Sequence, residues 1–386
     1  MPETSPAHDG HRYLQVLSSP NVGGAEKVGF SIHRYLSTVR PGTSRVVVPL
    51  NGSTKELAAA EGFERVAYDS RGIASSSRLV SLAANARLRM KLGGLSGGLL
   101  HVHSPFVYGA MRPMLSISRP KRVVHIHLDY TDDQLRWCLT SPPDLVVTCG
   151  RFIEHRVRAL LDDLGARKTD VVAIVNAVDV EAFTPDDKRG AKIACGIDPD
   201  RPLILLAANL SSHKGQETAI RALRLLVDRG HSPLLWLAGE QRDGGREYLD
   251  RLSALSAGLG LQRHCTFLGF RDDMPLLIRA ADYLVLPSTQ EGLPLSILEA
   301  QASGTVVLAA PTAGIPEVVD DGRTGFLIAA SDASGYAGQI ARLMANPDVR
   351  AEITAAALTQ VRSRFSFARY GEQIVEQYDR LLPARR

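Results

Sequence analysis

The sequence predicts an α/β protein built from two doubly wound domains, and three observations support this prediction. Short apolar runs alternate with amphipathic stretches along the chain, which is typical of βαβ units and a parallel sheet. The alternation restarts after Phe183–Pro202, a segment rich in Asp, Pro, Gly and charge that we interpret as a linker. The length of 386 residues also exceeds one ordinary core and fits two domains of roughly 180 residues each.

Each half supplies its own series of strands and helices. Apolar runs in the first half predict strands at Tyr13–Ser18, Arg45–Leu50, Leu99–His103, Arg122–His127, Leu145–Thr148 and Val171–Val175. Helical periodicity predicts helices at Ala25–Ser37, Ser77–Leu92 and Arg151–Leu164. Strands in the second half are predicted at Leu203–Ala208, Leu234–Ala238, Thr266–Leu268, Tyr283–Leu286 and Val306–Ala309. Such sheets bind ligands at the carboxyl ends of their strands, so we expect two domains facing across a cleft.

Composition excludes several classes of protein. The formal net charge of +4 is small, and no RNA- or DNA-binding motif is present, so no nucleic-acid partner is expected. No run of about 18 apolar residues predicts a membrane span, and the polar N-terminal stretch Met1–Tyr13 does not resemble a signal peptide. The four cysteines form no C-x-x-C pair, which argues against a zinc knuckle or a redox site. We therefore expect a cytoplasmic enzyme.

The stretch "STQEGLPLSILEA" follows a buried apolar run and carries two glutamates, Glu291 and Glu299. Pro294 suits the first position of a helix over about Pro294–Ser303, whose N-terminal amides attract anions such as phosphates. Glu291 would lie beside that end and Glu299 on the flank, where carboxylates suit the hydroxyls of a sugar or ribose. The simpler interpretation is a surface glutamate and a turn residue that complements the helix dipole.

Lys214 lies in "LILLAANLSSHKGQETAI", where a strand ends near Ala208 and a helix begins near Gly215. A cation at a helix N-terminus is disfavoured by roughly 0.3–1 kcal/mol because it meets the positive end of the helix dipole. When an anion is bound there, the cation becomes favourable. Lys214 is therefore a candidate for phosphate binding, and a solvated lysine on a turn is the alternative.

Two glycines follow the first predicted strand, in "SSPNVGGAEKVGF". Gly23 and Gly24 would let the backbone approach a ligand closely, or they simply form a tight turn. The pattern is not G-x-G-x-x-G, so it does not indicate a dinucleotide site. Glu26 is explained by its place in the first turn of a helix.

Four histidines form two H-x-H pairs on neighbouring predicted strands, His101 with His103 and His125 with His127. Within each pair both rings point to one face, so a zinc site is conceivable. No acidic residue or cysteine completes it, and packed core histidines are the favoured interpretation. His127 differs because it ends its strand beside the expected cleft, where an imidazole can exchange hydrogen bonds with a hydroxyl.

Together these stretches resemble glycosyltransferase family 4, retaining transferases with two Rossmann-like domains in the GT-B fold. The most specific element is E-x7-E at Glu291 and Glu299. The others are "GGAE" at Gly23–Glu26, "IVNAVDVEAF" at Ile174–Phe183, "NLSSHKG" at Asn209–Gly215 and "FLGFRDDM" at Phe267–Met274. The resemblance implies an acceptor-binding domain over residues 1–183, to which a C-terminal helix at 366–386 returns. It also implies a nucleotide-sugar-binding domain over residues 184–365.

The resemblance also implies roles for individual residues. Glu291 would contact hydroxyls of the donor sugar, and His127 would lie near the sugar and the acceptor. Glu299 would hold the ribose, and Lys214 would bind the diphosphate. Further donor contacts would come from Gly23 and Gly24 near the diphosphate, Phe270 and Arg271 beside the base, Asn209, and the turn Gly292, Leu293, Pro294 and Leu295.

The implied reaction moves a sugar from a UDP- or GDP-type donor to an acceptor hydroxyl with retention, without a cofactor or a metal. Many family members have arginine where this chain has Asn209, so one phosphate cation is missing. That substitution leaves a non-catalytic glycan- or nucleotide-binding subunit open as an alternative. A sugar-nucleotide epimerase is a second alternative, because it has a similar two-domain fold. No convincing pyridoxal-binding lysine supports a phosphorylase.

The acceptor is left open as a glycan, a lipid-linked or a small-molecule hydroxyl compound. One stretch bears on it, "SSSRLVSLAANARLRMKLGG" at Ser75–Gly94, which carries basic and apolar side chains on one predicted helix. A first-domain helix with a solvated basic side is the simpler interpretation. The alternative is contact with an acidic acceptor or weak contact with anionic lipid, and the latter would place the enzyme peripherally at the inner membrane surface.

Overall fold

The structure is a computed structural model that describes residues 13–92, 97–115, 120–241 and 246–382. The chain divides into two units, Met1–Asn176 together with Phe367–Arg386, and Ala177–Ser366. Three parts of the predictions lie outside the described residues: most of the polar N-terminal stretch, the end of the basic stretch at Gly93 and Gly94, and residues 383–386 of the C-terminal helix.

The first unit contains a seven-stranded parallel sheet of order β3-β2-β1-β4-β5-β6-β7. Its strands are β1 (Tyr13–Val16), β2 (Ser44–Pro49), β3 (Arg65–Tyr68), β4 (Leu99–Val102), β5 (Lys121–Ile126), β6 (Leu145–Thr148) and β7 (Asp170–Ala173). β1 pairs in register with both β2 and β4, and the strand order reverses between β1 and β4. All six strands predicted in this half are confirmed. β3 was not predicted, because this edge strand buries only Tyr68 and has no apolar run.

The helices of the first unit follow these strands. They are α1 (Gly24–Val39), α2 (Ser53–Ala60), α3 (Ser70–Ile73), α4 (Arg78–Leu92), α5 (Pro105–Ala110), α6 (Arg112–Leu115), α7 (Asp132–Leu139) and α8 (Arg151–Asp163). Local chemistry fixes several of their starts: the Thr131 hydroxyl accepts a hydrogen bond from the Gln134 amide, and Pro105 follows the N-cap Ser104. The three helices predicted for this half are confirmed.

The second unit contains a six-stranded parallel sheet of order β10-β9-β8-β11-β12-β13. Its strands are β8 (Leu203–Ala207), β9 (Leu234–Ala238), β10 (Cys265–Gly269), β11 (Tyr283–Leu286), β12 (Val306–Ala309) and β13 (Phe326–Leu327). Its helices are α9 (Lys188–Ala194), α10 (Gln216–Asp228), α11 (Glu247–Gly258), α12 (Met274–Ala280), α13 (Leu295–Ala302), α14 (Ala333–Ala345) and α15 (Pro347–Arg364). The five predicted strands are confirmed, and only the two-residue β13 was not predicted. Both units are doubly wound, as the sequence predicts.

The central strands of each sheet are buried along their whole length. Every residue of β4 and β6 in the first unit, and of β11 and β12 in the second, is buried. Parallel strands covered on both faces are apolar at successive positions, which is why these strands were recognisable as short apolar runs.

A sixteenth helix, α16 (Phe367–Leu381), belongs to the first unit and packs against α1. Its Tyr378 ring stacks on Tyr13 at 5.3 Å between centroids, and the Tyr378 hydroxyl accepts a 3.0 Å hydrogen bond from the Gln15 amide. Arg40 also binds both carboxylate oxygens of Asp379 in α16, at 2.7 and 2.8 Å. The last helix is therefore an integral part of the first unit.

The boundary between the units falls earlier than the sequence indicates. Val178 donates a 2.9 Å hydrogen bond to the Phe365 carbonyl and forms a parallel bridge with Ser366, which joins this segment to the second unit. The predicted linker Phe183–Pro202 lies inside the second unit and contains α9, so this interpretation was wrong. Asp187 caps α9 by accepting a hydrogen bond from the Gly190 amide at 2.8 Å. This acidic residue of the segment therefore marks the start of a helix.

Among the residues described, none of the helices combines the length and the apolar character needed to cross a bilayer.

Candidate functional site

The strand order of the second sheet reverses between the adjacent parallel strands β8 and β11. Loops that follow two such strands meet at their carboxyl ends, where doubly wound sheets bind ligands. The loop after β8 carries Lys214, and the loop after β11 carries Glu291. The topology therefore brings the two most distinctive predicted residues to one point.

Lys214 and Glu291 form an ion pair, with 2.7 Å between Nζ and Oε2. The Lys214 side chain is 18% exposed and the Glu291 side chain 5%. The second carboxylate oxygen, Oε1 of Glu291, is buried and has no hydrogen-bond partner in the described part of the chain. Leaving a buried acceptor unsatisfied costs about 1–3 kcal/mol, so this oxygen is suited to a donor supplied by a ligand.

The backbone of the β8–α10 loop holds Lys214 in place. Gly215 has φ 74°, and a Cβ there would lie 2.1 Å from the Pro287 carbonyl oxygen, so only glycine fits. The buried Gln216 side chain donates a 2.9 Å hydrogen bond to the Asn209 carbonyl and closes the loop. The Thr289 amide donates to the His213 carbonyl at 2.9 Å and fastens this loop to the one that carries Glu291.

The α13 helix begins one residue later than predicted, with Pro294 at the N-cap (φ −70°, ψ 124°). In the part of the chain that the structure describes, no side chain caps this helix, and its first turn contains no acidic residue. Uncapped helix starts of this kind are suited to bind phosphate or carboxylate. The preceding turn is held by the Gly314 amide, which donates to the Gly292 carbonyl at 3.0 Å. Glu299 lies in α13 and is buried, which argues against the simpler interpretation of a surface glutamate.

Other predicted donor residues follow neighbouring strands of the same sheet. Asn209 follows β8 and is half-buried, and Phe270 and Arg271 follow β10, with Phe270 69% exposed. The ends of β9 and β10 are tied by a 2.8 Å hydrogen bond from the Gly239 amide to the Gly269 carbonyl. Arg271 donates from Nε and one Nη to the two carboxylate oxygens of Asp273, so its charge is already paired. It is therefore a poor substitute for the arginine absent at Asn209.

In the first unit, Gly23 is the N-cap of α1 and Gly24 its first residue, both after β1 where the strand order reverses. Glu26 does more than complement the dipole. Its buried carboxylate accepts the Ser19 amide at 2.9 Å and the Gly23 amide at 3.2 Å, which fixes the shape of the loop. Sequence reasoning missed this role, because the capping box has glycine where serine or threonine is usual.

The four histidines of the first unit form one buried stack. The closest rings, His125 and His127, have centroids 3.9 Å apart. His103 exchanges hydrogen bonds with Nε2 of His127 at 3.2 Å and with Oε1 of Gln15 at 3.0 Å. His127 follows β5 as predicted, but it is only 8% exposed, because the neighbouring rings cover it.

Three rings of the stack lie close enough together to be compared with a metal site. Ligand nitrogens of His101, His103 and His125 lie within 4.8 Å of one another. Tetrahedral zinc with Zn–N bonds of about 2.0–2.1 Å needs nitrogens roughly 3.3 Å apart and lone pairs that converge. The rings are instead nearly parallel, with interplanar angles of 6° for His101 and His125 and 30° for His103 and His125. Three stacked imidazoles are a poor match to this geometry, and the absence of a metal stays a prediction.

Burial keeps these histidines neutral. It lowers the pKa of His101 and of His127 to about 3, and the pKa of His103 and of His125 well below the usual value. In the unfolded chain the same groups titrate near 6.5. The unfolded state therefore binds more protons below that pH. Stability contributed by the neutral stack is fully present above about pH 6.5 and is lost as the pH falls towards 3.

Replacing His125 by leucine is expected to reduce the pH dependence of stability. One histidine contributes about 1.4 kcal/mol per pH unit to the slope of unfolding free energy between pH 6 and 4.5. Urea unfolding can be followed by Trp137 fluorescence in a Trp236→Phe background, which reports on the first unit alone. The control is the Trp236→Phe protein that keeps His125. An identical slope with and without His125→Leu would show that this histidine is not neutral in the fold.

Comparison with known proteins gives one family and a shared fold. The family model described as "Glycosyl transferases group 1" matches residues 188–360. The D-inositol 3-phosphate glycosyltransferase of Corynebacterium jeikeium is 31% identical over 239 residues, which is 60% of this chain and 57% of the relative. That of Saccharomonospora viridis is 32% identical, over 56% of this chain and 51% of the relative. The chain thus matches a little over half the length of these relatives.

Solved structures share the fold along nearly the whole chain. Anabaena Alr3699/HepE in complex with UDP and glucose superposes with a TM-score of 0.81 at 22% identity, covering 96% of this chain and 99% of that one. Sucrose-phosphate synthase from Thermosynechococcus elongatus gives 0.78 at 17% identity, covering 97% and 100%. At these identities the comparison shows the fold: two Rossmann-like units of the GT-B type.

Proposed function

We propose that this chain, whose residues 188–360 match the glycosyl transferases group 1 model, transfers a glycosyl group from a nucleotide-diphosphate sugar to an acceptor hydroxyl. The observation that carries the proposal is the Lys214–Glu291 pair, which lies where the strand order reverses and next to a helix start without a side-chain cap. A cation and uncapped amides suit a diphosphate, and a carboxylate with an unpartnered oxygen suits a sugar hydroxyl.

The two charges would change partners when the donor binds. The Lys214 ammonium and the first amides of α13 would take the diphosphate, and Glu291 would accept hydrogen bonds from the sugar. The bond between the anomeric carbon and the phosphate oxygen breaks, and the same carbon bonds to the acceptor oxygen. The acceptor's proton passes to the departing phosphate oxygen, and attack on the same face gives retention. Stabilising the developing charge on the diphosphate is the main catalytic contribution in this scheme.

No covalent glycosyl-enzyme is proposed. A nucleophilic carboxylate would have to face the anomeric carbon, as in retaining glycosidases. Glu291 is instead paired with Lys214, and Glu299 is buried within α13. Both are assigned here as binding groups, Glu291 to the sugar and Glu299 to the ribose.

Roles in the first unit are part of the same proposal. The neutral imidazole of His127 would exchange hydrogen bonds with the sugar and the acceptor, and the backbone at Gly23 and Gly24 would approach the diphosphate. Transfer is proposed to need no divalent cation, so activity should be unchanged in EDTA. Loss of activity in EDTA that Mg²⁺ restores would contradict this part.

The decisive experiment measures nucleotide release with and without acceptor. UDP-sugars are the first donors to test, since a structure of the same fold contains UDP and glucose, and GDP- and ADP-sugars follow. A bound donor raises the melting temperature, which identifies the sugar nucleotide before any acceptor is known. D-inositol 3-phosphate, named for the relatives, is one acceptor among the glycan, lipid-linked and small-molecule candidates. Conversion of the donor to an epimer without an acceptor would indicate an epimerase instead.

Replacing Glu299 by glutamine is expected to weaken donor binding about tenfold with little change in turnover at saturation. A hydrogen bond to a charged group contributes about 1.5–3 kcal/mol, and the amide keeps part of it. Loss of binding that is equal in the ground and transition states raises KM and leaves kcat unchanged. Titration calorimetry with the donor and steady-state kinetics measure the two effects.

The matched control is Glu247→Gln, which removes an exposed carboxylate on α11 of the same unit. It should change neither constant. If Glu299→Gln leaves donor affinity and KM at the wild-type values while the fold is intact, the ribose assignment is wrong.

A further inference from the structure

Helix α4 is apolar on two opposite sides. One side is the expected inner face: Ala84, Leu88 and Leu92 are buried in the first unit. The other side carries Leu79, Leu82 and Met90, which are 80%, 51% and 75% exposed. A helix needs only one apolar face to pack on a core, so the outer one is not explained by the fold.

The outer residues form a continuous stripe. Leu79, Leu82, Ala83, Ala86 and Met90 follow the spacing i, i+3, i+4, i+7 and i+11, and all five are exposed. At about 100° per residue these positions fall on one side of the helix, opposite the buried set. We call these five residues the outer stripe. Three large side chains held in solvent along three turns differ from the single exposed hydrophobic residues that are ordinary on protein surfaces.

Basic residues border the outer stripe on both sides. By the same helical spacing, Arg78 and Arg89 fall along one border, and Arg87 and Lys91 along the other. All four are exposed, and the helix contains no acidic residue. Within the part of the chain that the structure describes, no carboxylate pairs with Arg78, Arg87 or Arg89. Lys91 donates a 2.8 Å hydrogen bond to the Ala67 carbonyl and keeps its charge at the surface.

The helix is held rigidly from its inner side. The Asn85 amide donates to the Ser81 carbonyl at 2.9 Å and to the Ala110 carbonyl at 3.2 Å, and the Ser81 hydroxyl donates to the Ile73 carbonyl at 2.9 Å. The outer stripe is therefore presented by a helix that is already folded, and no ordering is needed when it meets a partner.

We propose that α4 docks this protein on an anionic lipid bilayer, lying in the plane of the interface. The outer stripe would enter the boundary between headgroups and acyl chains, and the four flanking cations would contact lipid phosphates. An exposed apolar stripe between two basic borders is the arrangement that interfacial helices use. The +4 net charge of the chain favours the same partner.

Charge argues against a second copy of the chain as the partner. Two α4 helices packed through their outer stripes would bring two sets of the same four cations together without an intervening carboxylate on either helix. Like charges placed opposite each other disfavour such a dimer, whereas anionic headgroups neutralise them. The proposal is independent of the transferase activity, because it requires no donor and no acceptor.

The test is co-sedimentation of the full chain with vesicles, without nucleotide. Vesicles of equal parts phosphatidylcholine and phosphatidylglycerol should bind the wild type, vesicles of phosphatidylcholine alone should bind it at least tenfold more weakly, and about 0.5 M salt should reduce binding. Affinity should fall at least tenfold in two separate variants. Leu79→Ser/Leu82→Ser/Met90→Ser removes the apolar side chains that would enter the bilayer. Arg87→Gln/Arg89→Gln removes two charges, each of which contributes about fivefold. Ile193→Ser, which removes a 61% exposed residue of α9, should bind like the wild type.

All variants lie on the solvent side, so their melting temperatures should match the wild type. Wild-type protein that does not bind the anionic vesicles at low salt overturns the proposal. So does equal binding by the triple-serine variant. A wild-type dimer in gel filtration that the triple-serine variant converts to a monomer would assign the outer stripe to a second copy and would also overturn it.

Discussion

Replacing Lys214 by methionine is expected to lower turnover about 100- to 1000-fold. In the proposed function, Lys214 is the only side-chain cation assigned to the departing diphosphate, because Asn209 replaces a family arginine and Arg271 is bound to Asp273. Removing one preorganised group that stabilises developing charge typically lowers kcat by that factor. The measurement is acceptor-dependent nucleotide release at saturating donor.

A stability effect has to be separated from this loss of activity. Lys214→Met leaves the Glu291 carboxylate 5% exposed and without its partner, and breaking such a pair destabilises a protein by about 3–5 kcal/mol. Lys214→Met/Glu291→Gln removes both charges and should restore the melting temperature while turnover stays low. Lys168→Met, at an exposed lysine, is the control and should be fully active. Turnover of the double variant within threefold of the wild type would refute the assignment of Lys214 to the leaving diphosphate.

Replacing Asp282 by alanine is expected to destabilise the second unit by about 3–5 kcal/mol. Asp282 precedes β11 and forms a 2.7 Å ion pair with Lys192 of α9, the two side chains being 9% and 5% exposed. Its Oδ2 also accepts the Leu203 amide at 2.9 Å at the start of β8. The alanine variant leaves a buried ammonium and an unsatisfied amide, and both are costly.

The partner variant should be milder. Without Lys192, the Asp282 carboxylate keeps the Leu203 amide, and Arg350 lies 3.9 Å away. Lys192→Met should therefore cost less than Asp282→Ala, and Lys192→Met/Asp282→Ala should cost less than the sum of the two single changes. Urea unfolding followed by Trp236 fluorescence in a Trp137→Phe background reports on this unit. Asp282→Ala with a wild-type urea midpoint would mean that the pair contributes nothing measurable.

The sequence predicted the fold well because the strands of both sheets are buried on two faces. Such strands appear as short apolar runs whatever their neighbours are, and β11 and β12 are examples. The same logic failed at β3, an edge strand in which only Tyr68 is buried. It also failed at Phe183–Pro202, whose charges suggested solvent. The buried Lys192 of that segment pairs with Asp282, a carboxylate 90 positions further along the chain, and local composition does not reveal such a contact.

The candidate site was predictable in part for a related reason. Lys214 and Glu291 each follow a recognisable strand, so topology alone brought them to one edge of the sheet. Their direct pairing and the close approach of Gly215 to the Pro287 carbonyl are indicated by no local pattern. His127 was placed at a strand end from the sequence, but its burial was not predicted. Its cover comes from His103 and His125, and their stacking required the three-dimensional register of β4 and β5.

Helix α16 has a consequence for how the chain folds as it is made. The second unit is continuous in sequence, from Ala177 to Ser366, whereas the first lacks its last helix until the ribosome has passed Leu381. Until then Gln15 and His101 lack the Tyr378 hydroxyl, and Tyr13 lacks the ring stacked on it. Domains usually fold from the N-terminus during translation. Here the unit that is started first on the ribosome receives its last helix only after the whole second unit has been made.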